Sequence, residues 1–159
     1  MSASRIASKL YQGSLPPFVG ELHRARIHTL VLCAAELQPS ESVLPGIEVL
    51  RCGFVDNFEP VCFSTLGMID ETATRVAARV RAKKRTLVTC AAGLNRSGLV
   101  TALALTKLYG VSGRDAVAWV QRARHGALFN PVFVAILEKI PASLHAAPAL
   151  RTLDSTPPG

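Results

Sequence analysis

A chain of 159 residues, 49% of them hydrophobic, is the size of one domain and carries enough apolar surface to close a core without staples. Eighteen Lys and Arg against eleven Asp and Glu give a formal charge of +7, which concentrates anionic ligands around the molecule. The longest apolar run, residues 98–108, is too short to span a bilayer. Residues 1–9 lack the basic-then-apolar order of a secretion signal, and the four cysteines show no C-x-x-C spacing. A membrane span, a disulfide framework and a zinc site are therefore not indicated, and a soluble cytoplasmic protein is expected.

In chain order, residues 6–13 read as a first strand that stops at a turn, and Pro16-Pro17 punctuates it. Residues 18–26 place Phe18, Leu22 and Ala25 on one face of a short helix. Residues 29–34 are continuously apolar, as in a strand covered on both faces. A loop with Pro39 and Pro45 follows, then a strand over 47–55 and a loop at 56–60. From Ser64, apolar residues recur at helical spacing through Leu66, Ile69, Ala73, Val76 and Val80.

Residues 100–109 are apolar nearly all round, as in a buried central helix that Gly110 ends. Ser112 is placed to cap the next helix, with Asp115 in its first turn. Asn130-Pro131 opens a last helix whose face is Phe133, Ile136, Leu137 and Ile140. The alternation of strands and helices predicts an α/β fold, a mostly parallel central sheet flanked by helices. One domain is expected over 1–141, with 142–159 a tail rich in Ala, Pro, Ser and Thr.

The stretch 87–98, Leu-Val-Thr-Cys-Ala-Ala-Gly-Leu-Asn-Arg-Ser-Gly, combines a strand end, a loop and a helix start. That order turns backbone N–H groups and a positive dipole end toward one small volume, which suits an oxyanion such as phosphate. A thiolate at Cys90 is stabilised there and becomes a nucleophile. Arg96 offers a planar fork able to hold two phosphate oxygens, and Ser97 a hydroxyl for the sulfur. The plainer reading makes Cys90 an inert buried thiol and Arg96 a residue paired with a carboxylate. Against it, an unpaired arginine in the first turn of a helix is opposed by the dipole unless an anion is present.

Five residues separate Cys90 from Arg96, and the fuller string Cys-x-Ala-Gly-x-x-Arg-Ser-Gly resembles the cysteine-dependent protein phosphatases, specifically the small dual-specificity phosphatases. The resemblance runs from about Ile6 to Leu137 and implies their fold and their chemistry. It makes Cys90 the nucleophile, Arg96 the phosphate clamp and Ser97 the stabiliser of the departing sulfur. Ala91, Ala92, Gly93, Leu94, Asn95 and Arg96 would wrap the phosphate. The general acid of the family follows a strand upstream of the cysteine, which selects Asp56, with Glu59 as substitute and Asp70, inside a helical pattern, behind both. Asn130 matches an asparagine that orders the site from behind.

Thr89 stands where the family has histidine, so slower turnover is expected. Cys33, in Leu32-Cys33-Ala34-Ala35-Glu36, matches a second cysteine able to form a disulfide with the catalytic thiol, or is simply a buried thiol. The implied substrates are phosphotyrosine and phosphoserine or phosphothreonine on proteins. Phosphoinositide, RNA 5′-phosphate and nucleotide substrates of the same fold, or a weak phosphate-binding module, are the alternatives, with nucleic acid a secondary partner. No metal or cofactor is implied, since thiolate, guanidinium and backbone dipoles supply what metal ions provide elsewhere. Oligomeric state is left open.

Overall fold

Residues 2–143 are described by a computed structural model. The expected tail begins at 142 and from residue 144 lies outside the described residues. Five strands form one sheet: β1 (Ala3–Ala7), β2 (Leu10–Ser14), β3 (Thr29–Ala34), β4 (Glu48–Phe54) and β5 (Thr86–Cys90). Their order is β1-β2-β5-β3-β4, with β1 antiparallel to β2 and every other pair parallel. The helices are α1 (Val19–Arg24), α2 (Phe63–Arg81), α3 (Arg96–Tyr109), α4 (Gly113–Ala123) and α5 (Pro131–Glu138).

The two faces of the sheet follow from the alternation of side chains along its central strands. Val31 and Cys33 of β3 and Val88 and Cys90 of β5 join the larger core with α2 to α5, where Ile69, Val76, Leu99, Leu105 and Phe133 are buried. Leu30 and Leu32 of β3 and Leu87 of β5 face the other way, onto Leu22 of α1, Ile27 and Leu44. With both faces covered, β3 is buried along its whole length, as its unbroken apolar run requires.

The first strand expected over 6–13 is in fact two. β1 and β2 form a hairpin in which Ala7 pairs with Leu10 across a turn containing Lys9 at φ 65°. The turn has neither glycine nor proline, so its signal is weak in the sequence. Elsewhere Gly110 closes α3 in the left-handed conformation, and Ser112 accepts a hydrogen bond from Asp115 N–H. The last helix stops at Glu138, leaving Ile140 just beyond it. At its other end α2 is tied to the sheet by Arg79, whose guanidinium grips Glu48 with donor–acceptor distances of 2.6–2.9 Å.

Candidate active site

Three parallel strands deliver their carboxyl ends to one place, where open α/β sheets bind ligands. β5 ends at Cys90, β4 leads to Asp56 and β3 leads to Glu36. Cys90 is buried, and its Sγ lies 3.3 Å from Ser97 Oγ in the first turn of α3. Asn95 precedes that helix without capping it by a side-chain bond, so the first N–H groups of α3 are left for another acceptor.

The loop between Cys90 and α3 is held from behind. Gly93 adopts φ +70°, and a Cβ there would lie 2.3 Å from the Gly13 carbonyl carbon, so only glycine permits this approach to β2. Gln12 Nε2 donates to Gly93 O at 3.1 Å. Arg124, at the end of α4, donates Nε to Gly93 O at 2.6 Å and Nη2 to Ala92 O at 3.4 Å, while its Nη1 reaches Ser4 Oγ and Gln12 O. Leu128 N–H donates to Leu94 O at 3.2 Å. With these carbonyls drawn backward, the peptide units of the loop are oriented with their N–H groups toward the opposite side.

Arg96 is buried and paired, contrary to the expectation that it lacks a carboxylate partner. Nη1 and Nη2 donate to the two carboxylate oxygens of Glu36 at 2.6 Å each, and Nη1 also to Phe54 O at 3.1 Å. The hydrogen bonds from Arg96 pull the Glu36 carboxyl down to about 2, while the arginine in turn is pushed further up. Arg96 Nε is buried with no hydrogen-bond partner among the described residues, a donor left over on the guanidinium.

Asp56 is fixed by two amides. Asn95 Nδ2 donates to its Oδ2 at 3.1 Å and Asn130 Nδ2 to its Oδ1 at 2.8 Å. Asn130 also donates to Asn57 O and accepts from Val132 N–H, capping α5. Asn95 Oδ1 accepts from the N–H groups of Phe129 and Asn130. The loop, the Asp56 turn and the start of α5 thus form one hydrogen-bonded unit. Glu59 and Asp70 stand apart from it: Glu59 is exposed, with its N–H donating to Asn57 Oδ1, and Asp70 pairs with Lys107.

Thr89 donates its hydroxyl to Val31 O on β3 at 2.6 Å, not toward the thiol. Cys33 is fully buried, which pushes its thiol up, and its sulfur neighbours that of Cys52 while lying within electrostatic reach of Cys90. All four cysteines are free thiols.

The unit brings together Cys90, Arg96, Ser97, Asn95, Asn130 and Asp56. Glu36, Gln12 and Arg124 belong to it as well, though their place was not read from the sequence. Each lies far along the chain from its partner, and only the short Ala-Ala-Glu run after β3 offers a local signal for Glu36.

No family model matches the chain. It is 32% identical to protein tyrosine phosphatase PRL-1 of Leishmania major over 120 residues, covering 72% of this chain and 69% of the relative. It is also 32% identical to human dual specificity phosphatase 28 over 148 residues, covering 92% and 82%. The crystal structure of human DUSP28 superposes with a TM-score of 0.73 at 28% identity, over 95% of this chain and 96% of that one. With the strand order, the Cys90 loop and these likenesses in agreement, the chain belongs to the dual-specificity phosphatase family of the protein tyrosine phosphatase superfamily.

Proposed function

We propose that the chain hydrolyses phosphomonoesters of proteins, on phosphotyrosine and on phosphoserine or phosphothreonine, through a phosphocysteine intermediate, with residues 1–141 as the catalytic domain and the cytoplasm as its compartment. The observation that carries this reading is that a buried thiol beside Ser97, an uncapped helix N-terminus and an arginine held by Glu36 share one strand-loop-helix run whose Asn95 holds Asp56. No helix among the described residues is long and apolar enough to cross a membrane.

In this reading the phosphate enters against the N–H groups of residues 91–96, with Arg96 Nε and the helix dipole drawing in its charge. Cys90 Sγ forms a bond to phosphorus as the ester P–O bond breaks, and Asp56 gives its proton to the departing oxygen. Water then attacks the phosphocysteine, Asp56 takes a proton from it, and Ser97 donates to the sulfur as it leaves. Glu36 keeps the guanidinium plane fixed while the phosphorus inverts. The loop bears no lysine, which favours a singly phosphorylated residue over a polyphosphorylated headgroup.

Hydrolysis of para-nitrophenyl phosphate and of phenyl phosphate tests the reading. Wild type turns over both, Cys90→Ser neither, and Asp56→Asn loses more rate on phenyl phosphate, the poorer leaving group. No release by the wild type would refute the enzyme, and equal losses on both esters would move the acid away from Asp56.

A further inference from the structure

Beside the Cys90 loop lies a cleft of about 460 Å³ bounded by the segment after β2, the start of α1 and the loop after β3. Its position next to the reaction centre is fixed by two contacts: Ala91, the residue after Cys90, lines it, and Leu15 N–H donates to Cys90 O at 3.2 Å. Every residue lining it is apolar. Its floor is Leu22 and Leu44 of the smaller core, and its rim exposes Phe18 at 73%, Val43 at 57% and Leu37 at 38%. Exposed apolar side chains of this size around a concave site mark a binding surface rather than a solvated one.

Resting on the phosphatase reading above, we propose that this cleft is a substrate subsite that takes a bulky aliphatic or aromatic side chain flanking the phosphorylated residue of a protein. At about 3.3 Å per residue of extended chain, a cleft that begins one residue from Cys90 is reached by positions within about three of the phosphate. An inositol ring or an RNA 5′ end would bring hydroxyls and charges against walls whose side chains offer them no hydrogen-bond partner. A phospholipid would need the pocket to face an anionic bilayer, yet Lys83, Lys84 and Arg85 precede Thr86, the start of β5. That basic cluster begins roughly 16 Å from Cys90 along the chain, beyond the opposite end of the strand. A membrane drawn to it would meet the far end of the molecule.

The test uses two phosphotyrosine peptides of equal length and charge, one with Leu and Phe on both sides of the phosphotyrosine and one with Ser and Asn. The apolar peptide is expected to have a kcat/KM at least about tenfold higher, the range expected for burying one such side chain. Val43→Asp and Phe18→Ala, both at exposed positions, bring the ratio of the two peptides toward one, and the ratio cancels any effect on the chemistry they share. Dissociation constants for the same peptides on Cys90→Ser give the ratio without turnover. A catalytically silent wild type therefore refutes the phosphatase reading, while the binding ratio still decides the cleft. Equal handling of the two peptides, or a ratio that survives both substitutions, overturns the proposal. So does a tenfold preference for a vesicle-borne phospholipid monoester over its soluble headgroup that Val43→Asp abolishes, or a dimer that Val43→Asp dissociates.

Discussion

Arg96 and Glu36 face each other fork to fork, two N–H donors on two carboxylate oxygens at 2.6 Å, from positions 60 residues apart. The arginine is nearly buried and the glutamate half exposed, so the pair holds a cation in the first turn of α3 and leaves Nε without a partner among the described residues. Such a pair orients more than it stabilises, because its carboxylate is largely solvated.

Glu36→Gln keeps the shape and removes the charge. Loss of one charge-assisted bond is expected to lower kcat/KM for para-nitrophenyl phosphate about tenfold and to weaken inhibition by inorganic phosphate. The check is a steady-state comparison with and without phosphate. Unchanged values of both would show that Arg96 is oriented without its partner.

Acid stability is expected to depend on Glu48 as well as Glu36. The hydrogen bonds from Arg79 hold Glu48 at about 2, as those from Arg96 hold Glu36. A carboxylate lowered by folding adds stability that is fully present above its unfolded value of about 4.3 and is lost as pH falls toward its folded value. Urea midpoints should therefore fall between about pH 4.3 and pH 2, and Glu48→Gln should make that fall shallower. Parallel wild-type and variant profiles would contradict the assignment.

Arg124 binds four acceptors on the loop and on β1 and β2. Arg124→Met is expected to lower the melting temperature by several degrees and to weaken binding of tungstate or phosphate. Arg124→Lys, a point charge lacking the fork, should recover only part of either. Calorimetry with and without the oxyanion separates the two effects. Stability loss with unchanged oxyanion affinity would make Arg124 a plain structural tie.

Cys62 is exposed at the start of α2, and the hydroxyls of Ser64 and Thr65, at 3.4 and 3.1 Å, bring its thiol down to about 7. In Cys90→Ser protein at neutral pH, iodoacetamide should label Cys62 rapidly while the fully buried Cys33 and Cys52 stay unlabelled until the protein unfolds. Peptide mapping reads this directly. Ser64→Ala combined with Thr65→Val should slow the labelling, and equal rates would rule out the hydroxyls as its cause.

What the sequence made legible was what is contiguous in it. Cys90, Arg96 and Ser97 share one strand-loop-helix run, and Ser112, Asn130 and Gly110 act on helices that start or stop beside them. Asp56 could be reached because it follows a recognisable strand. Glu36, Gln12 and Arg124 could not, since their roles come from bonds spanning 60, 81 and 31 residues, which no local period encodes. The same holds for Thr89, whose side chain turns to Val31 on the neighbouring strand. The N-terminal hairpin escaped for a local reason, a Ser8-Lys9 turn with neither glycine nor proline.

The central claim is that phosphate passes through Cys90, and acid quenching of Asp56→Asn protein during turnover of para-nitrophenyl phosphate, whose leaving group departs without the acid, tests it most directly. Slowed hydrolysis should let one phosphoryl group accumulate, and peptide mapping of the quenched protein should place it on Cys90. A phosphoryl group on another residue, or continued hydrolysis by Cys90→Ser at the wild-type rate, would contradict the account.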